Sequence, residues 1–212
     1  MPTSCQSESP IILAFSGGLD TSFCVPWLQS TYERPVVTVT VNTGGLDDDM
    51  AADLHARARA LGAQEHVLVE ARQVFFDRVI RYLIAGNVRR GQLYPLCVGA
   101  ERGIQATLLA EVAAQRGATT VAHGCTAAGN DQVRFEVALR TINPELEVLA
   151  PVRDQSFVRR EQLAYLEEHG MPVPAQGSDY SINRGLWGVT IGGRETLDSK
   201  QSIPEQAWVL SP

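Results

Sequence analysis

The chain is expected to fold as an α/β protein: a doubly wound, five-stranded parallel sheet in the order 3-2-1-4-5, with helices on both faces. Three observations carry that expectation. Short β-branched or aliphatic runs alternate with stretches whose apolar residues recur at helical spacing, the pattern of repeated βαβ units. The first apolar run ends abruptly in a serine–glycine turn. With 212 residues and 44% hydrophobic content, the chain is long enough for one sizeable core.

Element by element, IILAF at 11–15 is a continuous apolar run that stops at Ser16-Gly17-Gly18, as a buried parallel strand does on reaching its turn. From Asp20 to about Gln29, Phe23, Trp27 and Leu28 recur at helical spacing; Asp20 and Thr21 suit the positive helix end, and Pro26 is a candidate kink. VVTVTV, 36–41, reads as strand two. After Gly44-Gly45, one helical face carries Met50, Leu54, Ala58 and Leu61, and Gly62 stops the helix. EHVLVE, 65–70, is strand three, followed by a helical stretch around Phe75, Val79, Tyr82 and Leu83. A helix over 100–116 presents Ile104, Leu108 and Val112 and ends at Gly117; TTVAH, 119–123, is strand four; EVLAPV, 147–152, is strand five; a charged helical run over 155–169 closes at Gly170. Residues 1–10 are expected as a disordered tail, 11–170 as the α/β domain, and 171–212, where periodicity decays, as an irregular extension.

Bulk properties narrow the function. With 18 basic and 24 acidic residues the net charge is -6, which speaks against general attraction to nucleic acid or acidic membranes and favours small ligands. Cys5, Cys24, Cys97 and Cys125 are far apart with no CxxC pair, against a zinc site and a disulfide framework and in keeping with a reducing, cytoplasmic setting. The opening MPTSCQSESP lacks a cationic stretch followed by an apolar run, and no later stretch has membrane-spanning length, so a soluble, unexported protein is expected.

Two turns carry the chemical signal. Ser16-Gly17-Gly18 leaves a strand and opens a helix, so backbone N–H groups and the helix terminus can converge on a phosphate. The competing reading is a plain turn with a serine cap. Neither GxxxxGK nor GxGxxG is present, which sets aside the Walker and dinucleotide patterns. The second turn, HGCTAAGNDQVRFE at 123–136, gathers His123, Thr126, Asn130, Asp131, Arg134 and Glu136; a glycine-rich connector is the alternative. In the order 3-2-1-4-5, strands one and four are neighbours where the winding reverses, so both turns open into one crevice. There Arg134 can bind a carboxylate through its planar fork and Asp131 can accept from an ammonium group. His123 reads as a structural histidine, Cys125 lacks a partner for nucleophilic work, and Trp187 and Trp208 read as packing residues.

AFSGGLDTS, 14–22, resembles the nucleotide loop of the N-type ATP pyrophosphatases, and more closely that of the argininosuccinate synthase family. GCTAAGNDQVRF, 124–135, resembles that family's second signature. Further similarity lies in YPLCVGAER (94–102), LAPVRD (149–154) and YSINRGLWG (180–188), so the resemblance covers nearly the whole chain. It implies a Rossmann-like, adenine nucleotide α-hydrolase-like fold and an ATP- and Mg²⁺-dependent ligase that condenses citrulline with aspartate through a citrulline adenylate, releasing AMP and pyrophosphate on the route to arginine. By that match, Ala14, Phe15, Ser16, Gly17, Gly18, Leu19, Asp20, Thr21, Ser22, Val41 and Gly124 contact ATP. Thr126, Asn130 and Asp131 hold aspartate, Asn130 and Arg134 touch citrulline, and Ser181 and Thr190 face citrulline as well. Asp20, Asp131 and Arg134 take the catalytic roles, and a homo-oligomer is compatible with the match. The chain departs from the family pattern at Ala127 and Ala128, where glycine and Lys, Arg or Met are usual. It departs again at Arg89 or Arg90 in place of a tyrosine, and at Asn183-Arg184-Gly185 in place of Asp-Glu-Asn. The family's second domain lies beyond Pro212 in this reading, which leaves open an ATP-binding remnant or a short ligase for a different amino acid.

Overall fold

A computed structural model describes residues 9–93, 95–127, 130–174 and 181–208. Most of the tail expected at 1–10 and the substituted position Ala128 therefore lie outside the described residues.

Five parallel strands form the central sheet: β1 (Ile11–Ala14), β2 (Val36–Asn42), β3 (Glu65–Glu70), β4 (Thr120–Ala122) and β5 (Glu147–Leu149). Their order is β3-β2-β1-β4-β5, the order the sequence predicts. β1 is the centre: Ile11 pairs with Val36 on one side and Thr120 on the other, and Ile11, Ile12 and Leu13 are completely buried. Each such side chain removed from water contributes about 1.5–3 kcal/mol, which explains the unbroken apolar run.

The strand period of two divides that run between two layers. Ile11, Leu13 and Phe15 pack with Phe23, Val25 and Leu28 of α1 (Leu19–Tyr32), with Leu54 and Ala58 of α2 (Asp48–Ala60), and with Leu166 far along the chain. Ile12, Val37 and Val39 face the opposite layer, built from Ala106, Leu109, Val112 and Ala113 of a later helix and from Phe135 and Leu139. Helix α1 runs through Pro26, which is buried within it. The stretch after β3 is helical throughout but changes pitch: α3 (Arg72–Phe75), a π-helical turn at Phe76–Ile80, and α4 (Arg81–Ala85).

Helix α5 (Cys97–Gln115) begins earlier than the periodicity places it. Two further boundaries differ from expectation. The polar turn after β4 ends at Asn130, because Asp131–Ile142 form a helix, α6, that buries Phe135 and Leu139, four residues apart, with Asp131 in its first turn. The strand expected over 147–152 stops at Leu149, because Pro151 occupies the first position of a short helix, α7 (Pro151–Asp154), where its missing N–H costs nothing. Helix α8 (Arg159–Glu168) follows. In the extension, Ser181–Gly185 (β6) and Gly188–Gly192 (β7) form an antiparallel hairpin, with Asn183 opposite Thr190. Among the described residues no helix is long and apolar enough to cross a membrane.

Candidate functional site

At the carboxyl ends of β1, β2 and β4 lies a cleft of about 420 Å³. One wall is the turn after β1. Gly18 is the N-cap of α1 in extended conformation with no side-chain cap, so the serine cap of the competing reading is not made; Ser16 Oγ instead accepts from the Gly18 N–H at 3.4 Å. Gly17 has φ +73°, and a Cβ there would overlap Leu54 of α2, so the turn needs glycine for its conformation and for its close seat on the core. Arg57 of α2 donates to the Gly17 carbonyl and braces the turn from beneath. The N–H groups of the first turn of α1 are thereby held at the cleft with the positive end of the helix dipole.

The opposite wall is the turn after β4. Gly124 passes so near α1 that a Cβ on it would lie 2.9 Å from Thr21 Cγ2 and 3.2 Å from both Asp20 Cβ and the Thr21 nitrogen. The two signature turns are therefore in contact at the switch point. Of the ATP-assigned residues, Ala14, Phe15, Ser16, Gly18, Asp20, Thr21, Val41 and Gly124 line the cleft. Ser22 does not: it is completely buried, and its hydroxyl donates to the Gly17 carbonyl at 3.5 Å. Leu19 packs its side chain against the core.

Asp131 also lines the cleft, but its carboxylate is already clamped. Arg102 Nε donates to Oδ2 at 3.1 Å and Arg134 Nη1 to Oδ1 at 2.8 Å. Arg134, read from sequence as a fork for a substrate carboxylate, spends one branch on Asp131 and stacks over Gly99. Thr126 and Asn130 are exposed near this wall, Thr190 is half-buried opposite Asn183, and the side chain of Ser181 lies outside the description. Ile182, Asn183 and Arg184 of the hairpin reach the cleft, where Asn183 Oδ1 accepts from Arg102 Nη2 at 3.2 Å.

Sequence reasoning missed the third wall. Glu101 and Arg102 of α5 face the cleft, and Arg102 ties together Asp131, Gln105 (2.8 Å) and Asn183. Glu101 is 4% exposed, and burial holds its carboxyl above the ordinary range, opposed by Arg102 and by a hydrogen bond from Thr43. The hairpin closes over it: a Cβ on Gly185 would overlap the Glu101 carboxylate, the Leu186 N–H donates to the Thr43 carbonyl at 2.8 Å, and Trp187 Nε1 donates to the Pro95 carbonyl at 2.6 Å. The signal for this wall was the adjacent Glu-Arg pair within YPLCVGAER; charged residues on a cleft-facing helical surface look in sequence like any solvated face.

The doubly wound parallel sheet and the cleft at its switch point define a Rossmann-like α/β domain. Residues 10–172 match the family model described as the arginosuccinate synthase N-terminal HUP domain. The chain belongs to the argininosuccinate synthase family. Its similarity to the argininosuccinate synthase of Sulfurisphaera tokodaii is 36% identity over 198 residues, 93% of this chain and 50% of that protein. To the enzymes so named of Methanocaldococcus jannaschii and Pyrobaculum aerophilum it is 38% and 39% over 209 residues, covering 97% and 98% of this chain and 52% of each relative. The chain thus spans about half the length of the curated relatives it matches.

Proposed function

We propose that the cleft binds ATP and supports an argininosuccinate synthase-type ligation: the ureido oxygen of citrulline attacks the α-phosphorus, pyrophosphate leaves, and the amine of aspartate then displaces AMP from the adenylate. The observation that carries this reading is the contact of Gly124 with the first turn of α1, which makes the two signature turns walls of one cleft. Phosphate oxygens would accept from the first-turn N–H groups of α1, and Val41 and Gly124 would flank the nucleoside. Asp131, held by Arg102 and Arg134, would accept from the ammonium group of aspartate, and Thr126 and Asn130 stand on the same wall to bind its remaining polar groups. Thr190 and Ser181 on the hairpin, with Asn130 and Arg134, are the proposed contacts of citrulline. Most of this chemistry is positioning and charge stabilisation, which a preformed polar cleft supplies.

Mg²⁺ enters this reading as a companion of the triphosphate, which supplies most of its ligands. Asp20, lining the cleft beside the phosphate turn, is the carboxylate in place to hold it. When bound, the ion would neutralise charge on the departing pyrophosphate.

The test is pyrophosphate release with citrulline and aspartate, run beside an amino-acid panel and direct ATP titration. Gly18→Val is the discriminating variant: a Cβ at Gly18 meets only Ser16 Oγ, at 3.5 Å, so the fold should hold while the added bulk blocks the phosphates. Undiminished ATP affinity in that variant refutes the cradle. ATP binding with no release for any amino acid restricts the function to nucleotide binding.

A further inference from the structure

The LAPVRD segment has no part in the cleft walls, yet it reaches one of them through a chain of charges. Arg153 of α7 donates to Asp154 Oδ1 at 2.8 Å and pairs with Glu136 of α6; Asp154 in turn accepts from the Ala150 N–H at 3.2 Å. Glu136 Oε1 lies 3.9 Å from His123 Nε2. His123, at the end of β4, is 1% exposed, lines the cleft, and has no hydrogen-bond partner at Nε2 among the described residues. Its other nitrogen, Nδ1, accepts the Cys125 N–H at 3.3 Å. That bond closes the turn containing Gly124, the residue seated against α1.

We propose that Arg153, Glu136 and His123 form a positioning relay through which the LAPVRD segment holds the Gly124–Cys125 turn at the nucleotide end of the cleft. An Nδ1 that accepts must be unprotonated, so the ring is neutral with its proton on Nε2, and Glu136 is the carboxylate this N–H faces. The relay works only while the ring stays neutral, since an imidazolium would set an Nδ1–H against the Cys125 N–H. Burial and Arg153 lower the His123 pKa to about 4, against Glu136 and Asp154, which raise it. Arg140, 3.8 Å from the second Glu136 oxygen, is the other cation on this carboxylate. Arg153 therefore does two things: it fixes Glu136 in place and prevents Glu136 from drawing a second proton onto the ring.

The nucleotide part of this proposal rests on the reading of the cleft given above; the relay itself is tested without ligand. Imidazole nitrogen NMR and amide-exchange protection factors are measured on the whole chain from about pH 5.5 to 8. The wild type should show the Nε2–H tautomer throughout, with a protected Cys125 amide. Arg153→Gln should let His123 protonate toward the acid end and reduce Cys125 protection about tenfold at pH 6 relative to pH 8, the scale of one lost buried hydrogen bond. ATP affinity should weaken in parallel. Adding Glu136→Gln to that variant removes the proton-attracting carboxylate and should restore protection to within about twofold, a rescue that a purely structural role does not produce. An Nδ1–H tautomer in the wild type, unchanged Cys125 protection in Arg153→Gln, or no rescue in the double variant overturns the relay. A wild type that binds no ATP while showing the expected NMR behaviour overturns the nucleotide reading and leaves the relay standing.

Discussion

Gly45→Ala is the perturbation that isolates the docking of the β6–β7 hairpin. A Cβ at Gly45 would overlap the Arg184 carbonyl oxygen and lie 2.8 Å from the Arg184 carbonyl carbon. Both are backbone atoms, so no rotamer change relieves the clash and the hairpin must lift. Lifting breaks the Leu186 N–H to Thr43 bond, about 1 kcal/mol, and the charge-assisted Arg102 to Asn183 bond, about 1.5–3 kcal/mol. The local loss of about 2.5–4 kcal/mol corresponds to an opening equilibrium raised about 60- to 700-fold. The assay is amide exchange at Leu186, read beside denaturant unfolding of the whole chain. Protection at Leu186 should fall by that factor while the amides of β1 are unaffected, because the hairpin forms a sheet of its own, separate from the one β1 centres. Gly192→Ala is the matched control on the same hairpin: a Cβ there meets nothing within 4 Å, and protection should not change. Equal Leu186 protection in wild type and Gly45→Ala would refute the docking geometry.

Asp131→Asn keeps the size of the side chain and removes the charge between Arg102 and Arg134; aspartate-dependent pyrophosphate release should fall at least about a hundredfold with ATP affinity nearly unchanged, and full turnover would remove Asp131 from the site. Burial lowers the pKa of His66 to about 4, with His55 adding to the shift, and His123 is lowered to about 4 by burial and Arg153. Folded-state values below the ordinary one mean that the associated stability is complete above about pH 6.5 and is lost as pH falls toward 4. Between pH 7 and 5 each histidine costs about 2 kcal/mol, while the raised carboxyl of Glu101 works in the opposite direction. Denaturant titrations giving the same stability at both pH values would contradict this. Burial, the leading cause for both thiols, pushes Cys24 far up and Cys125 to about 11, so alkylation of either in the folded chain at neutral pH should be much slower than for a free thiol. Site-resolved mass spectrometry that finds Cys125 modified at free-thiol rates would contradict that environment.

The amino-acid sequence alone determined the sheet, its order and the meeting of the two signature turns. Those follow from short-range signals: the buried run Ile11–Leu13, the β-branched run of β2, and the glycine turns after β1 and β4 mark a parallel sheet, and right-handed crossover connections leave few arrangements, of which the order 3-2-1-4-5 is the one found. The tertiary structure decided what the polar residues do. Asp131 and Arg134 read in sequence as separate binding groups, yet at i, i+3 on α6 they pair with each other, a consequence of a helix whose start lay hidden inside a polar turn. Ser22 reads as a phosphate contact and is buried beneath the turn. Glu101, Arg102 and the docked hairpin become a wall of the cleft through contacts between residues 29 to more than 80 positions apart, such as Arg102 with Asp131 and with Asn183. Periodicity records which face of an element is apolar. It carries no information about which distant polar groups a fold brings within hydrogen-bond reach, and in this protein those long-range pairings set the charge and shape of the site.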